Sequence, residues 1–279
     1  MTHLVADALA SEQLEEAISL MRGAHVAVLT GAGVSTDSGI PDYRGEGAPR
    51  RSPMTFQTFL ASEQARKRYW AGSHLGWRHF GSAQPNAGHR ALADLEAAGA
   101  VTGVVTQNVD GLHRRAGSAH VVELHGTMDR VVCLACGQYY ARQAIADRLE
   151  SLNPGVDLER AIRPAPDGDV EVDDVDAMRI PDCTVCGGTL KPDVVFFGEF
   201  VPGETFAAAS AVVAASDVLL VAGSSLVVNS GIRLTELARR RHLPIIVINR
   251  GITKGDGRAA VKLDAGTTET LTAMAAALV

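Results

Sequence analysis

The sequence predicts an α/β fold, built as a Rossmann-like, doubly wound parallel sheet that carries a smaller inserted module. Short apolar runs rich in β-branched residues alternate with longer segments of helical periodicity, which is typical of a parallel sheet with helices on both faces. Four cysteines in the middle of the chain form two Cys-x-x-Cys pairs, a spacing typical of zinc-binding modules. Together these observations predict a doubly wound sheet with a zinc-binding and helical module inserted into it.

The apolar runs predict the parallel strands, and the helical periodicity predicts the helices between them. The predicted strands are residues 24–29, 101–106, 121–124, 194–196, 218–221 and 245–249. The predicted helices are residues 10–21, 84–98, 203–215, 231–241 and 268–279. The sheet domain is therefore predicted to comprise residues 1–45, 84–126 and 191–279. Residues 46–83 are predicted to form the helical part of the small module, and residues 127–190 its zinc-binding part.

The composition narrows the class of protein. With 279 residues, 46% of them hydrophobic and 21% charged, the chain can bury the full core of a globular protein. No apolar run approaches the roughly 20 residues of a membrane span, and the start of the chain has no signal-peptide core. We therefore expect a cytoplasmic protein that binds no membrane. A net charge of −6 argues against nucleic acid as a partner. The oligomeric state stays open, with a monomer favoured.

The cysteine pairs are Cys133 with Cys136, and Cys183 with Cys186. In a chain without a secretion signal this spacing favours a metal over disulfides. Four thiolates complete a tetrahedral shell for Zn²⁺ and leave no open position, so we predict a structural zinc rather than a catalytic one. A redox dithiol is the alternative, but it would need only one pair.

A glycine-rich stretch follows the first predicted strand. Residues 31–45 read Gly-Ala-Gly-Val-Ser-Thr-Asp-Ser-Gly-Ile-Pro-Asp-Tyr-Arg-Gly. Gly31 and Gly33 allow a tight turn and let backbone N–H groups approach a pyrophosphate. The third glycine of the common dinucleotide fingerprint is absent, because Thr36 stands there. A tight strand-to-helix turn is the alternative, but it does not explain the polar, apolar and cationic residues that follow, which include Arg44 as an arm for the phosphates.

Polar residues also follow the second predicted strand. Asn108 and Asp110 can hold both ends of a carboxamide, because an amide donates to its carbonyl and a carboxylate accepts from its NH₂. An Asx turn is the alternative for Asp110, since Asp-Gly is a common turn pair. A turn would not require Gln107 and Asn108 ahead of it.

A histidine follows the third predicted strand, at the edge of the sheet where ligands gather. His125 can take a proton near neutral pH, although for this residue alone a packed structural histidine is the simpler interpretation. Gly-Ser-Ser at 223–225 and Asn249-Arg250 follow two more strands and suit contacts with an adenosine. Their common position at strand ends favours a nucleotide site there.

Five ordered segments resemble the sirtuins, the NAD-dependent protein deacylases. They are the glycine-rich stretch, Thr-Gln-Asn-Val-Asp-Gly-Leu-His at 106–113, Glu-Leu-His-Gly at 123–126, the cysteine pairs and Gly-Ser-Ser at 223–225. The resemblance covers nearly the whole chain. Ala-Pro-Asp-Gly-Asp-Val at 165–170 and Arg-Tyr-Trp-Ala at 68–71 resemble the class II subgroup.

The resemblance implies a protein-lysine deacylase with NAD and Zn²⁺ as cofactors, and acyl-lysine proteins or peptides as substrates. Its products are nicotinamide, free lysine and O-acyl-ADP-ribose. His125 is implied as the general base that activates a ribose hydroxyl, with Asn108 as the second catalytic residue, and Tyr43 as an aromatic shield against water. The implied NAD-binding residues are Gly31, Ala32, Gly33, Ser35, Thr36, Ile40, Asp42, Tyr43, Arg44, Gln107, Asn108, Val109, Asp110, Gly223, Ser224, Ser225, Asn249, Arg250, Gly251 and Thr267.

Two segments resemble the clamp that holds a peptide by strand addition, where backbone hydrogen bonds give affinity without demanding a sequence. The implied substrate residues are Val195, Phe196, Phe197, Gly198, Glu199, Val228 and Asn229. Sirtuins that prefer dicarboxylic acyl groups carry Tyr-x-x-Arg, whereas Tyr69 is followed three residues later by Gly72. We therefore expect neutral acyl groups to be removed faster than succinyl, unless an arginine at 66, 68 or 78 reaches the acyl pocket.

Other functions remain as alternatives. A protein mono-ADP-ribosyltransferase could use the same NAD site. A non-catalytic NAD sensor or a zinc-ribbon binding module would belong to another class. The acidic stretch 165–177 is predicted to be a solvated edge strand or loop, with a calcium site as the alternative.

Overall fold

The computed structural model describes residues 2–42, 53–154 and 175–279. Tyr43 and Arg44 lie outside these residues, as does most of the acidic stretch 165–177, so what the sequence indicates for them stays a prediction.

The strands and helices of the described residues alternate along most of the chain. In chain order the strands are β1 (Val26–Thr30), β2 (Val101–Thr106), β3 (Val121–Glu123), β4 (Gly126–Cys133), β5 (Tyr139–Ala141), β6 (Leu190–Val194), β7 (Val218–Ala222), β8 (Ile245–Ile248) and β9 (Val261–Leu263). The helices are α1 (Thr2–Met21), α2 (Phe56–Ala61), α3 (Glu63–Ser82), α4 (Ala87–Ala97), α5 (Leu112–Ala116), α6 (Arg142–Leu152), α7 (Gly203–Ala214), α8 (Asn229–Arg240) and α9 (Thr267–Leu278). No helix in the described ranges is long and apolar enough to cross a membrane.

Six strands form a parallel sheet in the order β3-β2-β1-β7-β8-β9. The chain builds the sheet outward from β1 to β3 and then, on the other side, from β7 to β9. This is the doubly wound order, so the predicted fold class is confirmed. The strand order reverses between β1 and β7, and ligands of such folds bind in the crevice at that point.

Both faces of the parallel sheet are covered, which explains why its strands read as continuous apolar runs. All five residues of β1 are buried. Val26 and Val28 belong to a cluster with residues of α1, α4 and α9, whereas Ala27 and Leu29 pack on the opposite face with residues of α7 and α8. The period-2 alternation of a strand thus places successive side chains of β1 in two separate cores.

The smaller sheet has the order β5-β4-β6 and is antiparallel. Its core is a cluster in which Trp70 and Ala71 of α3 and Ile145 and Leu149 of α6 pack on Val131 of β4. The small module therefore draws its core from a helix that precedes the zinc-binding part and a helix inside it.

One predicted strand is wrong. Residues 194–196 were expected in the parallel sheet, but β6 ends at Val194 and pairs antiparallel with β4 in the smaller sheet. The sixth parallel strand is β9, whose three residues give too short an apolar run to stand out in the sequence. An apolar run shows that a segment is buried, but it does not show which sheet the segment joins.

The helix predicted at 84–98 begins three residues later, at Ala87. The Asn86 side chain accepts from the N–H groups of Gly88 and His89, and the His89 side chain closes a capping box. The first helix is longer than predicted, since α1 starts at Thr2 rather than at residue 10.

Candidate active site

A cleft of about 1420 Å³ opens at the switch point of the parallel sheet. The segments after β1, β2, β7 and β8 converge on it, because these strands are parallel and their carboxyl ends share one edge. The predicted site residues that line the cleft are Gly31, Ala32, Gly33, Thr36, Ile40, Asp42, Gln107, Asn108, Val109, His125, Val195, Phe196, Phe197, Gly198, Glu199, Gly223, Ser224, Ser225, Val228, Asn229, Asn249, Arg250, Gly251 and Thr267. Two others, Ser35 and Asp110, are buried and do not line it.

Glycines fix the close approach of the two loops at the switch point. The Gly33 N–H donates to the Gly223 carbonyl at 2.9 Å. A Cβ on Gly33 would lie 2.8 Å from the Gly223 Cα, and Gly223 itself has a φ of +65°. The Thr267 hydroxyl braces the same loop by donating to the Gly33 carbonyl at 3.0 Å. The result is a backbone-lined cradle that side chains do not obstruct.

Asn108 and Asp110 meet at a buried serine. The Asn108 amide donates to the Gly31 carbonyl and to Ser35 Oγ, both at 3.1 Å. Ser35 in turn donates to the Asp110 carboxylate at 2.7 Å. The Asp110 carboxylate also accepts from the Leu112 N–H at 2.9 Å, which is an Asx turn. The structure therefore contains the turn that was the alternative interpretation, and Asp110's contact with a carboxamide stays a prediction.

Burial raises the pKa of Asp110, against the hydrogen bonds from Leu112 and Ser35, which lower it. The neighbouring bonds favour the ionised form, whereas the absence of water disfavours it. Because Asn108 and Asp110 share Ser35, the loop after β2 is tied to the glycine-rich loop after β1. A change at Asp110 is thus transmitted to residues that line the cleft.

His125 has one ring nitrogen held by the backbone and one directed at a hydroxyl. Nδ1 lies 2.9 Å from the Gln107 carbonyl, which can only accept, so Nδ1 carries the proton. Nε2 is then unprotonated and accepts from the Ser230 hydroxyl at 2.8 Å. Burial lowers the pKa of His125, and the bond to the Gln107 carbonyl raises it in part. This tautomer and this pKa leave Nε2 free to accept a proton at neutral pH.

Ser230 is a functional residue that the sequence analysis missed. It lies in the first turn of α8, lines the cleft and is the hydrogen-bond partner of His125 Nε2. The substrate prediction ended one residue earlier, at Asn229. Helix starts that follow a strand end are places where ligand contacts occur, and this signal could have found Ser230. Gln107 is similarly held, since it accepts from the Ser224 hydroxyl at 2.6 Å.

The segment after β6 is fastened to both His125 and the small sheet. The Val195 N–H donates to the His125 carbonyl at 2.8 Å. Buried Lys191 donates to the Val194 carbonyl at 2.6 Å and to the Glu199 carboxylate at 3.0 Å, while Glu199 also accepts from the Phe196 N–H. Burial lowers the pKa of Lys191, and the Glu199 carboxylate raises it. These bonds give residues 195–199 a defined shape at one wall of the cleft.

Apolar side chains are exposed along the same wall. Phe200 is 93% exposed and Ile252 is 92% exposed, and both line the cleft with Val227 and Val228. Scattered exposed apolar residues need no explanation, but several around one opening indicate a surface that another molecule covers.

The four cysteines form one cluster. Their sulfur atoms all lie within 4.8 Å of one another, with Sγ–Sγ distances of 3.6 Å for Cys133 and Cys186 and 3.7 Å for Cys136 and Cys183. A tetrahedral zinc–thiolate site with bonds of about 2.3 Å has sulfur–sulfur edges of about 3.8 Å. The set fits a structural Zn²⁺ and supplies no open position. Tyr140 donates toward the same cluster, 3.1 Å from Cys183 Sγ.

The chain matches the model of a known family. Residues 31–230, which include the glycine-rich loop, His125, the cysteines and Ser230, match the Sir2 family. The chain is 52% identical over 265 residues to a protein of Mycobacterium avium (strain 104) named NAD-dependent protein deacetylase 1, covering 93% of this chain and 94% of that protein. It is also 52% identical over 246 residues to a Streptomyces coelicolor protein of the same name, covering 87% and 82%.

Solved structures give the same answer. A structure described as the basis for the mechanism and regulation of Sir2 enzymes is 30% identical, with a TM-score of 0.75 over 96% of this chain and 98% of that one. A complex of Sir2 with a p53 peptide and NAD⁺ is 28% identical, with a TM-score of 0.71 over 92% and 95%. Sequence and fold therefore agree that the chain belongs to the Sir2 family, the sirtuins.

Proposed function

We propose that the protein is an NAD-dependent protein-lysine deacylase. The observation that carries this proposal is His125, whose unprotonated Nε2 lies at the cleft of the switch point beside the glycine cradle. The family match supports it, as do relatives named NAD-dependent protein deacetylase that are 52% identical over most of the chain.

The cleft fits NAD. A dinucleotide brings a pyrophosphate that needs backbone N–H groups at close range, and the loops at Gly33 and Gly223 leave no room there for a Cβ. Ser224, Ser225 and Asn249 offer hydroxyl and amide groups at the ends of β7 and β8 for the adenosine. When bound, NAD supplies the ADP-ribose that takes over the acyl group, and nicotinamide is released.

His125 acts as the general base. The Gln107 carbonyl holds Nδ1–H, so the proton that the reaction removes goes to Nε2. The Ser230 hydroxyl occupies this acceptor position, and a ribose hydroxyl must take its place for proton transfer. Ser230 thereby keeps the lone pair of Nε2 directed along the line that the incoming hydroxyl uses.

The acyl-lysine substrate enters along the exposed apolar wall. Residues 195–199 and 227–229 lie on the cleft, and an extended peptide between them would bind through its backbone. This mode supports proteins and peptides of varied sequence as substrates. The p53 peptide in the related Sir2 complex supports the same substrate class.

The zinc supports the structure of the small module and takes no part in the chemistry. Its four thiolates fill a tetrahedral shell. We place the protein in the cytoplasm, where cysteines stay reduced as a zinc–thiolate site requires. The monomeric state and the absence of nucleic acid partners stay predictions.

The test is product analysis by mass spectrometry. Zinc-loaded protein, NAD and an acetyl-lysine peptide are expected to give nicotinamide, free lysine on the peptide and O-acetyl-ADP-ribose in equal amounts. A protein or peptide that gains ADP-ribose instead would show a mono-ADP-ribosyltransferase. Binding of NAD without any turnover would show an NAD sensor.

A further inference from the structure

A buried arginine lies in the small module, behind the wall of the cleft. Arg142 is the first residue of α6 and is 1% exposed. Its guanidinium carbon lies 4.9 Å from the centre of the Trp70 ring and 5.1 Å from the centre of the Trp77 ring. Two aromatic rings thus surround a cation that has no access to water.

The guanidinium is poorly satisfied within the described residues. Nε and Nη1 have no hydrogen-bond partner there, and Nη2 makes one long bond of 3.5 Å to the Ser73 hydroxyl. Burial lowers the pKa of Arg142 to about 10, which still leaves it charged at neutral pH. A buried charge of this kind is costly unless a partner offsets the lost hydration.

The groups around Arg142 do not supply that partner. His74 is fully buried, and neither of its ring nitrogens has a hydrogen bond within the described residues. Burial and the charges of Arg142 and Arg78 lower the pKa of His74 to about 4, so it is neutral. Glu150, at the edge of the cluster, bonds Arg78 at 2.9 Å and is itself partly exposed. The cluster holds one buried positive charge and unused polar atoms.

The cluster adjoins the wall of the cleft. Tyr69 precedes Trp70 on α3, lines the cleft and packs with Phe59 and Phe196. Tyr69 is also close enough to Arg142 to raise its pKa. Trp77, which contacts Arg142, packs on the apolar cluster that includes Ile40 and Val109 of the cleft wall. A group that passes Tyr69 from the cleft would therefore meet the guanidinium.

We propose that Arg142 binds the distal carboxylate of a dicarboxylic acyl group carried on the substrate lysine. This inference rests on the proposed deacylase function and names its substrate class. A carboxylate would give Arg142 the charged hydrogen bonds that it lacks, and the aromatic rings would contact the methylene chain. The expected preference for neutral acyl groups considered only arginines near Tyr69 in the sequence. Arg142 comes from another helix, so residue spacing did not reveal it.

The test compares acyl groups that differ only in charge. Glutaryl-lysine and its carboxamide analogue are presented on one peptide sequence, and kcat/KM is measured for each. Wild type is expected to prefer glutaryl by about tenfold or more, because a charged hydrogen bond at a buried site is worth at least that factor. Arg142→Met is expected to lower this ratio by about tenfold or more, and Arg142→Lys is expected to restore part of it.

Arg78→Met is the matched control, since Arg78 is an exposed arginine on α3 at the same cluster and lies outside the cleft. It is expected to leave the ratio unchanged. Zinc content and thermal unfolding show whether each variant is folded. The wild-type ratio needs no variant, so misfolding of Arg142→Met does not remove the test.

The outcomes separate this inference from the proposed function. Turnover of acetyl-lysine with equal or faster removal of the carboxamide analogue overturns the role of Arg142 and leaves the deacylase. An unchanged ratio in folded Arg142→Met has the same meaning. Failure of every acyl-lysine peptide, acetyl included, to give O-acyl-ADP-ribose overturns the proposed function and this inference together.

Discussion

The parallel sheet and the antiparallel sheet of this protein are held together by different forces. The parallel sheet lies between two apolar cores, and every residue of β1 is buried. The antiparallel sheet is much less covered: Tyr139 of β5 is 52% exposed, and four thiolates rather than a second core join its loops. Apolar burial thus fixes the cofactor side, whereas a metal and a few buried polar side chains fix the small module.

The largest expected effect tests the catalytic side of this comparison. His125→Ala should lower kcat by about 10²–10⁴-fold, because no other imidazole lines the cleft among the described residues. Zinc content and thermal unfolding should stay close to those of wild type. His120→Ala is the control, since His120 is 77% exposed and pairs with Glu96 on the surface. Deacylation above a few per cent of wild type in His125→Ala would remove the general-base role.

The second prediction concerns the small module. Cys183→Ser should lose the zinc and destabilise the antiparallel sheet, since the described residues offer no replacement thiolate and metal binding supplies folding free energy. Metal analysis and hydrogen exchange should show loss of protection in β4 and β6 before β1 and β7. Val185→Ser, in the same cysteine loop and 68% exposed, should keep both metal and protection. A stable, fully active, zinc-free Cys183→Ser protein would show that the metal is dispensable.

The same contrast explains what the sequence could predict. The strands of the parallel sheet were readable because each is buried on both faces and gives an unbroken apolar run, as in Val218–Ala222. The antiparallel sheet was not, since β6 reads Leu-Lys-Pro-Asp-Val and its lysine is buried by a long-range ion pair with Glu199. The zinc site was predictable because both cysteine pairs are local in sequence.

Within the site, residues at strand ends were predictable and residues at helix starts were not. His125 and Gly33 follow strands directly, so the rule for parallel sheets places them at one edge. Ser230 and Arg142 each lie in the first turn of a helix, and their partners, His125 and Trp70, come from distant parts of the chain. Such contacts depend on how elements pack, which residue spacing does not contain.

A smaller effect is expected at the glycine cradle. Gly33→Ala would place a Cβ 2.8 Å from the Gly223 Cα, so the two loops must separate. We expect a loss of roughly 1–3 kcal/mol in unfolding free energy and a KM for NAD raised by about tenfold. Gly203→Ala, where a Cβ meets nothing within 4 Å, is the control. Equal KM values in the two variants would show that close approach of these loops does not matter for NAD.

The smallest effect is a pH dependence that compares one histidine from each region. Burial lowers the pKa of His89, under the glycine-rich loop, and of His74, in the small module, to about 4 each. Both are therefore neutral when folded but protonated when unfolded below about pH 6.5. Each contributes stability that is present above pH 6.5 and is lost as the pH falls toward 4.

The measurement is the unfolding free energy between pH 7 and pH 5. His74→Gln and His89→Gln should each reduce the slope against pH by the equivalent of one proton. His120→Gln, on the surface, should leave the slope unchanged. If only His89→Gln reduces the slope, the small module admits water to His74.

The join between the two sheets has a practical consequence. β4 begins at Gly126, directly after His125, and the His125 carbonyl accepts from Val195, directly after β6. The two strands that the zinc loops tie together thus end on either side of the proton acceptor. Chelators should inhibit turnover in step with metal loss, as they would in a metallohydrolase, although the metal is remote from the bond that breaks. Assays of this protein with EDTA would therefore report on the anchoring of His125, and added metals of tetrahedral preference should restore activity whatever their Lewis acidity.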